Sequence, residues 1–396
     1  MTAPAAERVV LTERQALDAA VEAAKAAAEH AAATDRDAAF PAAGVAALRE
    51  HGLLSAAIPK EYGGQGLDPL TLTRIGARLA GGCAATAMIW AMHQLQVACL
   101  ARSAAASPAI AAALADIAGR QLLIASITSE VGVGGDMRRS VAAVEPAGDG
   151  TVRLTKKATT VSYGEHADGF LVTARSGPDA APTDQVAVLV MAEHAELERT
   201  GDWNPLGMRG TCSPPFTMSA TVPAGMVLPE PFGETATRCM VPLSHLLWSG
   251  VWTGVAADAV RRAVAYSKVR MRAQLKAGRT ADDPRLGRAY AGLRVLQDTV
   301  RRFADDYAVW DAAQDADTTA MTVRANALKT GVSVDAVRVV EQALEICGMA
   351  GYSESGPYSV ARHLRDLYSA RLMIANGRLE LANSELLLLT GDLIQE

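Results

Sequence analysis

Cysteine is scarce in this chain: five in 396 residues, odd in number and without a CxxC pair. A disulfide framework and a structural zinc site both need cysteines at fixed spacing, so neither is expected, and thiols kept reduced in a cytoplasm fit best. The seven histidines are equally dispersed. No HExxH, paired-carboxylate or GxSxG arrangement is present, so no metal is expected. Positive charge is not in excess, with a formal charge of −5 and a pI near 5.9, and no basic stripe is interleaved with aromatics. Nucleic acid is therefore not an expected partner. No apolar stretch approaches the ~18–20 residues that span a bilayer. The first thirty residues carry Glu7, Arg8, Glu13, Arg14, Asp18 and Glu22 where a signal peptide needs an apolar core. No membrane partner is expected.

Half of the residues are apolar and 20% are charged, a helix-rich globular profile. The length allows two or three domains. Residues 12 to about 34 place Leu17, Ala20, Val21 and Ala24 at helical spacing. Pro41 opens a second helix, residues 69–102 resume helical character, and another helix occupies 107–120. From 123 the texture changes. Val152–Leu154, Ala158–Ser162, Gly169–Ala174, Gln185–Met191 and Phe216–Val222 are short β-type runs separated by turn residues. From about 236 helices return, as long segments at 248–274, 285–313, 318–349 and 357–393, which suits a bundle. The expected organisation is an N-terminal helical domain at 1–122, a β-domain at 123–232 and a C-terminal helix bundle at 233–396.

Between the first two textures lies IASITSEVGVGGD, residues 124–136. Three glycines in four positions, Gly132, Gly134 and Gly135, permit backbone conformations closed to other residues and let N–H groups approach a flat or anionic ligand. Taken alone, such a loop is more often a turn than a site.

Five ordered stretches resemble the acyl-CoA dehydrogenase family: AIPKEYGGQGLD at 57–68, ITSEVGVGGD at 127–136, TTVSYGEHAD at 159–168, LGMRGTCS at 206–213 and EICGMAGYSESGPYSVARHLRD at 345–366. The resemblance runs from about 20 to 380. It implies a mainly α fold with a small β-barrel-like domain and a C-terminal four-helix bundle, with FAD held between the last two. It also implies an acyl thioester across the flavin, carried by CoA or an acyl carrier protein, and a homodimer or homotetramer. It would set Ile127, Thr128, Gly132, Gly134 and Gly135 against the flavin, and Thr160, Val161 and Ser162 beside its ring. Ser129, Asp136, Arg209 and Trp248 would fall on the substrate side, and Arg272, Gly348 and Gly351 at the nucleotide. Hydroxyl and N–H donors around the ring suit negative charge on reduced flavin. Threonine at 160 replaces the family's usual covering tryptophan.

Two departures matter. Where typical members carry a catalytic glutamate, this chain has Asn376, and an amide cannot take an α-proton. At the family's alternative position stands Ser244, with His245 beside it. His245 is then the candidate base, or a helix-start histidine bonded to backbone. His93 is a second candidate, as the flavin–oxygen-supporting histidine of monooxygenases on this fold, or a satisfied core histidine. The nucleotide grip has lost its Phe-Gly turn, leaving Arg272 or Arg279 as cations, and Glu345 replaces a glutamine. FMN, or no flavin, is therefore also open. Arg209 either offers a fork to an anion or pins the β-domain through backbone carbonyls. Trp248 is either core or pocket wall. The leading reading is flavin-dependent α,β-desaturation of an acyl thioester, with the electron acceptor or flavin reductase unspecified. The alternatives are a flavin monooxygenase of the same fold and a non-redox binding homologue.

Overall fold

Thr12 opens the first helix, α1 (Glu13–Asp37), with a reciprocal cap in which its hydroxyl accepts from the Gln15 N–H and the Gln15 side chain returns to the Thr12 N–H. The structure, a computed structural model, describes residues 10–278, 283–313 and 317–389. Ala16, Ala20, Ala23, Ala27 and Ala31 form the buried stripe of α1, small enough for close packing on α2 (Ala42–Glu50) and α3 (Pro69–Ala80). The helix expected over 69–102 is two helices. It breaks at Gly81–Gly82 before α4 (Ala84–Ala104), where the chain passes so close to α1 that a Cβ at Gly82 would lie 2.1 Å from the Ala24 carbonyl oxygen.

The 21-residue α4 corrects a second expectation, since by length and composition it is apolar enough to cross a bilayer. Its apolar window is 83% buried inside the protein, which makes it a core helix. Helix α5 (Pro108–Arg120) then leads into the strands.

Strand β1 (Ile124–Ile127) pairs in parallel with β4 (Gly169–Arg175), which pairs antiparallel with β5 (Gln185–Met191). A second, antiparallel sheet has the order β2 (Glu145–Gly148), β3 (Thr151–Ala158), β7 (Phe216–Pro223), β6 (Ala195–Arg199). In β3, Leu154, Lys156 and Ala158 face inward while Arg153, Thr155 and Lys157 face out, the period of a half-buried strand. The strand expected over Ala158–Ser162 ends at Ala158. Beyond it the chain turns, with the Thr160 N–H bonded to Ser129, the Val161 N–H to the Pro214 carbonyl, and Tyr163 left-handed at φ 46°.

A short helix α6 (Phe232–Thr235) and a π-turn (Ala236–Met240) feed the long bundle helices α7 (Val241–Lys276), α8 (Pro284–Ala312) and α9 (Thr318–Cys347). After a one-turn helix α10 (Met349–Tyr352), the fourth long helix expected over 357–393 is broken into α11 (Ala361–Tyr368) and α12 (Asn376–Leu389). The break centres on Ile374, a β-branched residue held left-handed at φ 51°. Helix α11 is fixed from two sides. Asp258 of α7 accepts from His363 Nε2 at 2.8 Å, and Arg365 forks onto Asp35 of α1 at 2.6 and 3.0 Å.

Candidate functional site

A cavity of about 480 Å³ opens where the end of β1, the 159–162 turn, α4, the start of α7 and residues 372–375 meet. One wall is hydroxyl-rich, with Ser126, Thr128, Ser129, Thr159, Thr160 and Ser162. The facing wall is apolar, with Met92, Leu95, Met240, Val241 and Trp248. Arg378 is the single charged lining residue, and no Asp, Glu or His lines the cavity among the described residues.

The loop 128–136 is held from beneath by a buried carboxylate. Glu130 accepts from Ser140 Oγ (2.6 Å) and from the Ala142 (2.6 Å) and Val141 (3.1 Å) N–H groups, with Lys156 Nζ 3.3 Å away. Burial pushes the Glu130 carboxyl up, but the Ser140 hydrogen bond, the Lys156 charge and the backbone donors together hold it below its ordinary value. Lys156, entirely buried, also donates to the Thr173 carbonyl and hydroxyl, and burial lowers its pKa to about 8. Above this anchor Gly132, Gly134 and Gly135 all take positive φ, so the loop turns back to the cavity, where Val133 and Gly135 line it. Arg378 donates to the Gly134 carbonyl and clasps the loop to α12.

Ser129 ties the loop to the turn, donating to the Thr160 carbonyl at 2.8 Å and accepting from its N–H at 3.1 Å. Ser162 accepts from Ser213 at 2.9 Å, so its own proton is left to point into the cavity. Ile127 and Val161 are completely buried beneath these hydroxyls and position them.

Neither histidine candidate lines the cavity. His93 is fully engaged, accepting from the Ile124 N–H at 2.9 Å on Nδ1 and donating from Nε2 to the Leu54 carbonyl at 2.6 Å. It is a core linchpin between α4 and β1, neutral because burial lowers its pKa to about 4. His245 is also wholly buried, with no hydrogen-bond partner on either nitrogen. The Ala325 backbone lies near it without meeting hydrogen-bond geometry, and burial with the Lys329 charge brings its pKa to about 3. Asn376 faces away from the cavity, its oxygen accepting from Lys329 Nζ at 2.7 Å and its amide donating to Ser333.

The other candidates divide. Thr128, Ser129, Gly135, Thr160, Ser162 and Trp248 meet at the cavity. Arg209 does not, because its guanidinium is used by the carbonyls of Asp35, Arg36 and Pro205 and by Asn204, pinning the 206–213 loop to α1. Asp136 turns back onto Arg138, whose hydrogen bonds lower its pKa. Gly132 and Gly134 shape the loop without lining the cavity, and Arg272, Gly348 and Gly351 lie outside it in this single chain. Arg279 falls outside the described residues.

Four residues carry no sequence signal that reasoning on motifs would find. These are Gln96 in the apolar α4, Arg378 in the first turn of α12, and the buried Lys156 and Lys329. A lysine in an otherwise apolar helical face is the one cue available for Lys329. Its ammonium, entirely buried, donates to the Ile374 carbonyl at 2.6 Å as well as to Asn376, and lies 6.0 Å from the Trp252 ring centroid. Burial lowers its pKa to about 8.

The donor set suits a flavin ring: hydroxyls and a glycine backbone along one side for its heteroatoms, and methionine, leucine and tryptophan opposite for its faces. The chain matches the model of the acyl-CoA dehydrogenase N-terminal domain over residues 12–110 and that of the C-terminal domain over 243–382. It is 29% identical over 356 residues to the amino sugar nitrososynthase DnmZ of Streptomyces peucetius, covering 86% of this chain and 84% of that protein. The FMN-bound structure of TdsC, a dibenzothiophene monooxygenase from Paenibacillus sp. A11-2, aligns with a TM-score of 0.82 at 24% identity, covering 93% of this chain and 95% of that one. KijD3 in complex with FMN and dTDP-3-amino-2,3,6-trideoxy-4-keto-3-methyl-D-glucose aligns with a TM-score of 0.78 at 22% identity, covering 96% and 95%. At such identities the two structures establish the shared fold.

Proposed function

This chain belongs to the acyl-CoA dehydrogenase family of flavin-dependent enzymes, and we propose that its own reaction is oxygenation of a primary amine on a small sugar-like substrate. The carrying observation is the cavity wall, which holds no carboxylate or imidazole among the described residues. Desaturation of a thioester needs a base within hydrogen-bond reach of the α-proton. Asn376 is engaged by Lys329, and His245 is sealed behind the wall. Oxygenation of an amine needs no such base, because the neutral nitrogen lone pair is itself the nucleophile.

The reaction balances as amine, dioxygen and reduced flavin giving hydroxylamine, water and oxidised flavin. One oxygen atom bonds to nitrogen and the other leaves as water. Bound reduced flavin supplies the two electrons and activates dioxygen. The chain's residues do the rest. Ser162 holds a hydroxyl proton toward the cavity, with Ser213 behind it. Thr128 and Thr160 complete a polar rim, and Met92, Leu95, Met240 and Val241 keep water from the reacting centre. The name of DnmZ supports an amino sugar as substrate, and the titles of TdsC and KijD3 support FMN as the flavin. A separate flavin reductase as electron source, and a homodimer or homotetramer, belong to the same proposal.

The test is direct. Purified protein is supplied with FMN, a flavin reductase, NADH and a dTDP-linked amino sugar under isotopically labelled dioxygen, and the product is weighed by mass spectrometry. Incorporation of one labelled oxygen into the amine is the expected result. Anaerobic bleaching of bound flavin by acyl-CoA, without any dioxygen-dependent amine product, would overturn the proposal in favour of desaturation.

A further inference from the structure

We propose that Arg378 is a phosphate anchor, the residue through which this cavity selects a flavin carrying a terminal monophosphate. This rests on the reading of FMN as the flavin, and not on the amine as substrate. Arg378 lies in the first turn of α12 and is the single charged residue of the cavity wall. It is exposed to solvent while also lining the cavity, which puts it at the opening. Its Nη2 donates to the Gly134 carbonyl. A guanidinium carries five N–H donors, so most of the fork stays free for a ligand. Asp136 feels its charge but is turned onto Arg138 at 3.0 Å, and no carboxylate pairs with Arg378 among the described residues. The fork also has a seat. Gly135 takes φ 78°, and a Cβ there would lie 2.8 Å from Nη1 and 3.4 Å from the central carbon of the guanidinium, so only bare backbone lets the fork rest on the loop. Arg209, on the other glycine turn, is by contrast used up by carbonyls and Asn204.

The rest of the wall decides what the fork receives. Thr128, Thr160, Ser162, Met92, Leu95 and Met240 carry no charge and suit an uncharged ring, while the one cation stands at the opening. A flavin monophosphate divides the same way, with a flat ring at one end and a hydrated anion at the other. A phosphate monoester carries about −1.5 to −2 charge at pH 7 and presents three strong acceptor oxygens. A guanidinium fork meets two of them at once with charge-assisted hydrogen bonds. In a flavin dinucleotide that phosphate is an internal link, with one charge and two free oxygens, and a second phosphate and a nucleoside follow it. The cavity wall offers this extension no further cation, since Arg272 lies outside it in the single chain. Riboflavin, which ends in a hydroxyl, gives the fork no anion to hold. The expected order of affinity is therefore monophosphate, then dinucleotide, then riboflavin.

The experiment titrates the full chain, freed of flavin, with FMN, FAD and riboflavin, following flavin fluorescence and calorimetry. Wild type should bind FMN at least about tenfold more tightly than riboflavin, the worth of a charge-assisted hydrogen bond. That gap should shrink with added salt, and again below about pH 6, where the phosphate takes up its second proton. Arg378→Gln, checked for an unchanged unfolding midpoint, should weaken FMN to the level of riboflavin and leave riboflavin itself unchanged. Arg378→Lys should keep the charge, lose the fork and fall between the two. Equal binding of FMN and riboflavin by wild type would overturn the anchor without any variant. A loss for FMN and riboflavin alike in Arg378→Gln would mean that the guanidinium only shapes the loop, and also overturns it. FMN binding untouched by Arg378→Gln, with weaker binding of a phosphate-bearing substrate instead, would overturn the assignment to the flavin. Phosphate-dependent FMN binding by wild type without any oxygenated amine would overturn the amine reading and leave the anchor standing.

Discussion

His93 and His245 are both sealed from solvent, yet their substitutions should act in opposite directions. His93 satisfies two backbone groups, the Ile124 N–H and the Leu54 carbonyl. His93→Phe strands both in the core and should cost about 2–4 kcal/mol of stability, read from denaturant midpoints. His245 satisfies none, its two nitrogens being unpartnered at zero exposure. His245→Phe swaps an orphaned polar ring for an apolar one and should be neutral or stabilising by up to about 1 kcal/mol, with amine turnover retained. Abolished turnover in a folded His245→Phe would restore the imidazole as a base. Ser162 is the residue whose chemistry was legible, because a hydroxyl in the TTVSYG turn is readable in sequence, and Ser213 behind it primes its proton for the cavity. Ser162→Ala should lower kcat at least about tenfold with little change in stability. Gln96 was not legible: one amide in an apolar helix matches no motif, and only the fold reveals that its oxygen lacks a partner.

At the scale of elements, the three long bundle helices follow from their apolar period, while the broken fourth does not. Asn376–Gly377 is a turn signal beside Ile374, but it does not by itself dictate a left-handed isoleucine. The break is imposed from α9, where Lys329 seizes the Ile374 carbonyl and the Asn376 side chain across 45 and 47 residues. The same override ends the expected strand at Ala158, since Ser129 captures the backbone of Thr160 from the glycine loop. Both overrides build cavity walls, which is why local propensity misses them. Lys329→Met separates positioning from stability. It removes a buried ammonium, whose desolvation is unfavourable, together with its hydrogen bonds. The unfolding free energy should move by less than about 2 kcal/mol. Residues 372–376 should nevertheless exchange amide hydrogens faster, and FMN affinity should fall about tenfold. Unaltered exchange in that segment would show that the wall holds its shape without the lysine.

For the molecule as a whole, the order of helices, sheets and bundle is written in composition and periodicity, and the glycine loop marks the seam where they meet. Electrostatic balance is not readable that way, because it depends on which titratable groups the fold buries. Three histidines end buried and neutral. Burial lowers His93 to about 4, His245 to about 3, and His363, despite its bond to Asp258, also below its ordinary value. Below pH 6.5 the unfolded chain binds protons that the native state refuses, so stability must fall on acidification, by about 1.4 kcal/mol per pH unit for each histidine within its window. Asp366 acts the other way. Burial raises its carboxyl to about 6, so between its ordinary value and 6 the native state holds the extra proton and acidification relieves a cost. His166 and the carboxyls of Asp258 and Glu130, also held below their ordinary values, act with the three histidines, so the sum is a net loss. The urea midpoint should therefore fall steadily between pH 6.5 and 4, with the unfolding transition remaining cooperative. His245→Phe removes one of the three and should make that decline visibly shallower. An identical slope in the variant would mean that His245 titrates alike in the folded and unfolded chain, and that its burial is not what the acid response reads.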